Sequence, residues 1–205
     1  MDLNILSPGK AVRLAFEKPN VPMALGLVLA ASIVWIGTSY LTSGGISVER
    51  AASAVILGFV QYFVIAIIVF AIGLILAGKA AGKKFAGTLS AMALLQIVWI
   101  ATYVLSALFF FLLFPGGLPV NPTNPDNITL TAEQLTASLQ GMAGVNIALL
   151  YGILAVSFLL TLFGAFLVYL TMKRLTQTGR IGSLLATLAA FAIIGTLSMA
   201  GLVPF

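Results

Sequence analysis

The hydrophobic positions of this chain fall into five long, nearly uninterrupted runs, at 21–41, 51–77, 85–114, 144–172 and 181–203. Stretches such as Val64-Ile65-Ala66-Ile67-Ile68-Val69-Phe70 do not alternate with polar residues. That argues against a membrane barrel, whose strands are alternating segments of roughly ten residues. Each run reaches the length of about 20 residues that a helix needs to cross the hydrocarbon core. Backbone amides in lipid must be bonded within their own segment, and a helix achieves this. The pattern therefore predicts an all-α polytopic membrane protein, a bundle of five transmembrane helices. The three longer runs predict helices that tilt or project beyond the core. Residues 1–20 form a separate N-terminal segment ahead of the five-span domain at 21–205. The first run has basic residues before it, as a signal peptide does. It continues to Leu41, longer than a usual signal core, and is read as a span.

Composition strengthens this reading. Of 205 residues, 61% are hydrophobic and 7% charged. A soluble domain carries about a quarter charged residues and cannot cover so much apolar surface. All of the charged residues, 10 basic and 5 acidic, lie outside the five runs. Lys10, Arg13 and Lys18 precede the first run. Lys79, Lys83 and Lys84 join the second to the third, and Lys173, Arg174 and Arg180 join the fourth to the fifth. Arg50 alone falls on the other side. By the positive-inside rule the first group is cytoplasmic, which puts the N-terminus inside and the C-terminus outside or in a lumen. The net charge of +5 is thereby read as orientation, not as a nucleic-acid surface.

The connections carry local signals. Ser7-Pro8 fits an N-cap followed by proline at the first helical position. Ala11, Val12, Ala15 and Phe16 then share one side, with Lys10, Arg13 and Glu17 on the other. A short interfacial helix ending near Pro19 is predicted, read first as an anchor for span one and second as a docking element. On the outer side, Thr131 and Gln134 form a capping box flanked by Leu130 and Leu135, predicting a helix from about Ala132. Asn127-Ile128-Thr129 is a glycosylation acceptor triplet, making Asn127 a candidate site on that face.

The chemistry open to the chain is narrow. It has no cysteine and no histidine, so thiolate, imidazole and the commonest zinc chemistry are absent. Ionisable residues within spans are the usual marks of proton paths and intramembrane catalysis, and the spans hold none. No catalytic or metal-binding residue is assigned, no cofactor is expected, and the chain reads as a non-enzyme. Two polar candidates remain inside. Gln61 in span two and Gln96 in span three lie at similar depth on antiparallel helices. They are read first as an interhelical hydrogen bond and second as a substrate or ion site. Small residues spaced i, i+4, namely Gly26/Ala30, Ala54/Gly58, Gly78/Gly82, Ala148/Gly152 and Ala186/Ala190, allow close helix approach. They are read as packing within the bundle first and as contacts in a homo-oligomer second. The inner basic residues Lys10, Arg13, Lys79, Lys83, Lys84, Lys173, Arg174 and Arg180 form the candidate face for anionic lipids or a protein partner.

Some features resemble a known family. Ile5-Leu6-Ser7-Pro8 with Pro19 just before span one, and Gly82-Lys83-Lys84-Phe85-Ala86-Gly87-Thr88-Leu89 opening span three, are similar to the Yip family of Ypt/Rab-interacting membrane proteins. Five spans with an inner N-terminus match its plan along essentially the whole chain. The resemblance, to a prokaryotic-type member, implies a scaffold or adaptor that recruits partners or organises membrane, although prokaryotic members mostly lack an assigned activity. Eukaryotic members carry a longer N-terminal region linked to Rab binding, and here about 20 residues precede span one, so no residue inherits that role. A small channel or transporter is the rival class.

Overall fold

The structure is a computed structural model and describes residues 7–43, 45–113 and 147–199. Its helices are α1 (Pro8–Glu17), α2 (Val21–Ser43), α3 (Val48–Ala77), α4 (Lys79–Gly82), α5 (Phe85–Met92), α6 (Leu94–Leu113), α7 (Ile147–Thr176) and α8 (Arg180–Met199). Among the described residues there is no strand. Five stretches are long and apolar enough to cross a membrane: Val21–Thr42, Val48–Ala77, Phe85–Leu112, Ala148–Thr176 and Arg180–Leu197. The protein is an all-helical, polytopic integral membrane protein.

Helix ends differ from the apolar runs in instructive ways. Span two begins at Val48, not 51, because Ser47 caps it by accepting the Arg50 amide at 3.2 Å. Glu49 and Arg50 are thus helical, as are Lys173 and Arg174 at the end of α7 and Arg180 at the start of α8. The helices carry charge at their tips, although the apolar runs do not. The connection at Lys79–Gly82 is a helical turn. Span three is two helices, interrupted at Ala93. There the Gln96 amide bonds the Ala93 carbonyl, three residues back instead of four, at 3.0 Å. The capping box, Asn127, residues 144–146 and 200–203 and the rest of the outer connection lie outside the described residues.

The spans form a ring in the order α2, α6, α7, α8, α3 and back to α2, with α3 also touching α7. Large apolar side chains point outward, Ile75 at 81% exposure and Phe158 at 62% among them. Small and polar ones point inward, including Ser32, Thr88, Ser90, Thr171, Ser183 and Thr187. An apolar exterior suits lipid, and small interior residues let backbones approach. Two of the five small pairs do this. Gly58 lies against Ser32 of α2, and Ala186 and Ala190 are buried; Gly26, Gly152 and Gly78 face open space, and Gly82 touches Leu74 at 4.0 Å.

The N-terminal helix is present as expected and packs into the bundle. α1 has Pro8 at its first position and Ser7 at the cap, but the Ser7 side chain makes no capping bond. Its apolar face is covered by neighbouring helices. Ala11, Val12 and Ala15 are buried against α5 and α7. Gly87 makes this possible: a Cβ there would stand 3.1 Å from the Phe16 backbone and 2.6 Å from its ring. Asn20 completes the link, its backbone N–H donating to Ser90 Oγ and its side-chain Oδ1 accepting from the Met23 backbone N–H, each at 3.0 Å.

Candidate functional site

Two regions gather the residues singled out in the sequence. The first is at the end of the bundle that carries α1. Lys10 and Arg13 on α1 face Lys173, Arg174 and Gln177 across a groove of about 770 Å³, with Gly9, Val12 and Leu170 completing its walls. Four cations thus converge from helices more than 150 positions apart in sequence. Arg13 is partly satisfied by Glu17, one turn on, at 3.5 Å. Gln177 adopts φ +54, which turns the chain out of α7 and toward α8.

Lys84 plays another part. Its ammonium donates to the carbonyls of Arg174 at 3.0 Å and Leu175 at 3.4 Å. It therefore satisfies carbonyls at the C-terminus of α7, where the helix dipole favours a cation. Burial, and then the neighbouring Arg174 charge, hold its pKa below the usual lysine range. Lys79, Lys83 and Arg180 are exposed at the same end of the bundle and do not line the groove. The basic face is therefore not uniform. It has a concave part, a lysine spent on structure, and three outlying charges.

The second region lies within the spans, where α5 and α6 diverge from α3. At the α1 end α5 packs on α3, and the buried Tyr62 hydroxyl donates to the Leu89 carbonyl at 2.7 Å. Beyond the Ala93 interruption, α6 leans toward α2 and α7, and α3 and α6 no longer pack closely. The gap is a cleft of about 390 Å³. Gln61 and Gln96 both line it, together with Trp35, Trp99, Tyr103 and, at the far end, Arg50. These are the two tryptophans of the chain.

The glutamines share the cleft as their matching depth predicts. The expected bond between them is absent: among the described residues, neither side-chain amide makes a hydrogen bond. Gln96 is 3% exposed, and its amide atoms open onto the cleft, since no buried side-chain nitrogen or oxygen among the described residues lacks a partner. The other buried polar residues all have partners. Ser32, Thr88, Thr171, Thr176 and Thr187 each bond the carbonyl four residues back, Ser183 bonds Gly179, and Ser90 accepts from Asn20. Hydroxyls reach their own helix's carbonyls, whereas a longer amide needs a partner across the gap. Sequence reasoning missed Tyr62 and the interruption at Ala93. Residues 90–96 read Ser-Ala-Met-Ala-Leu-Leu-Gln, with no glycine or proline to mark a break.

Compared with known proteins, the chain matches no family model, no curated protein and no solved structure.

Proposed function

We propose that this protein is a non-enzymatic scaffold of the membrane, of the kind its resemblance to the Yip family implies, and that its working surface is the groove between α1 and α7. The observation that carries this is the convergence of Lys10, Arg13, Lys173 and Arg174 on one concavity. Nine of ten basic residues lie at this end of the bundle, which is the cytoplasmic end by the positive-inside rule. There the groove faces the headgroups of the inner leaflet, and each cation near an anionic surface contributes about 1 kcal/mol of attraction. A phosphate-bearing lipid held in the groove fixes α1 against α7 and presents a defined surface to a partner protein.

The test is phospholipid retention through purification in mild detergent, read by native mass spectrometry. Anionic lipid is expected to stay bound to the native chain and to be lost from a Lys10→Gln/Arg174→Gln variant, but not from Lys83→Gln. Equal retention by all three would overturn the groove as the site. Crosslinking in native membranes then tests the scaffold itself: a partner captured by the native chain and lost from the double variant supports it. Self-crosslinks alone from the native chain count against it.

A further inference from the structure

We infer that the cleft between α2, α3 and α6 is a binding site for a small, neutral, planar molecule carrying carbonyl or hydroxyl groups. This goes beyond the scaffold reading and does not depend on it.

A polar side chain that is almost wholly enclosed and opens only onto the cleft is the starting point. Gln96 is 3% exposed, lines the cleft, and its side-chain amide makes no hydrogen bond among the described residues. Gln61 lines the same space and is likewise unbonded. Among the described residues no buried side-chain nitrogen or oxygen lacks a partner, so both amides open onto the cleft and take their partners from whatever fills it. Each amide offers two donors and a carbonyl acceptor, so the pair suits a molecule with more than one hydrogen-bonding group.

Charge limits what that molecule is. No ionised side chain lines the cleft at the depth of the glutamines. Arg50 lies eleven positions earlier on α3, roughly 16 Å along the helix. A charge brought to the glutamines would be buried without a counter-charge, and the guanidinium at the far end repels cations. The ligand is therefore neutral at the amide end. Trp35, Trp99 and Tyr103 form aromatic walls, and such walls take planar groups by stacking or edge contacts. The volume of about 390 Å³ falls within the range of small-molecule sites. Trp99 also lines a second, apolar cavity of about 260 Å³ toward α7 and α8, so its ring stands between the polar cleft and the bundle interior.

Such a molecule arrives either from water at the Arg50 end or sideways from lipid. Two probes with the same dicarbonyl chemistry separate these sources: uracil, which is water-soluble, and a decyl-substituted para-benzoquinone, which partitions into lipid. Both tryptophans line the cleft, so intrinsic fluorescence of the protein in nanodiscs reports occupancy directly. Saturable quenching by either probe, weakened at least tenfold in Gln96→Leu and in Gln61→Leu, is the expected result, and the effective probe names the source. Quenching that rises linearly for both probes, or is unchanged in both variants, overturns the site. So does failure of Gln96→Leu to fold, because an amide that binds nothing in the protein is not needed for folding. Retention of anionic lipid at the α1 groove is read separately, so either result leaves the scaffold reading to its own test.

Discussion

The packing of α1 on the bundle can be broken by one methyl group. Gly87→Ala places a Cβ 3.1 Å from the Phe16 Cα and 2.6 Å from its ring. The ring can turn, but the backbone contact requires α1 to move. Overpacking of this kind costs about 1–3 kcal/mol. Burial of Val12 contributes about 1.5–3 kcal/mol to docking, and the methyls of Ala11 and Ala15 roughly 0.8 kcal/mol each. A released α1 can rest its apolar face at the lipid interface, which offsets part of that loss. The strain is then comparable with what holds α1, so α1 should open while the spans stay folded. Opening favoured by about 1–3 kcal/mol raises the open population about 5–150-fold. Limited trypsin digestion in nanodiscs measures this at Lys10 and Arg13, since cleavage follows the open population when reclosing is fast. Gly82→Ala is the matched control, because its Cβ would meet only Leu74, at 4.0 Å. Cleavage of Gly87→Ala no faster than that of Gly82→Ala would refute the argument that this glycine sets the helix contact.

Other substitutions probe other links. Tyr62→Phe removes the bond to the Leu89 carbonyl, which keeps its bond from the Ala93 amide at 3.1 Å. The acceptor is not orphaned, so unfolding in denaturing detergent should show a loss of about 0.5–1.5 kcal/mol and no more. Lys84→Met should cost about 1 kcal/mol through the carbonyls it leaves, while Lys83→Met stays within about 0.5 kcal/mol of the native chain. The lowered Lys84 pKa also gives a pH signature. The unfolded chain holds that proton more tightly, so stability rises with pH from the lowered folded value up to the ordinary 10.5, and falls again as pH drops back through that window. A pH titration of Lys84→Met with the same slope would exclude this origin. Ser47→Ala should cost about 1 kcal/mol by removing the cap of α3, whereas Ser7→Ala, which loses no capping bond, should melt with the native protein.

The two glutamines show how far the sequence reaches into the candidate site. Counting from the ends of antiparallel spans puts them at one depth, and the cleft holds both. Counting cannot say that α3 and α6 part company beyond Ala93, so it predicts a bond that the structure lacks. The basic face behaves likewise. That nine cations share one end follows from where the apolar runs stop. Which four line a groove, and that Lys84 is turned onto the end of α7, depends on how α1, α5 and α7 dock.

The sequence by itself determined the five spans, their approximate ends, the N-terminal helix and the distribution of charge between the two ends. These are sums of local transfer energies and backbone demands, which each segment settles against lipid or water on its own. Tertiary structure alone decided the interruption of span three, the burial of α1, the Tyr62 bond and the unpaired Gln96. Each of these depends on a partner distant in the chain, and distance in sequence carries no information about which helix stands across the gap.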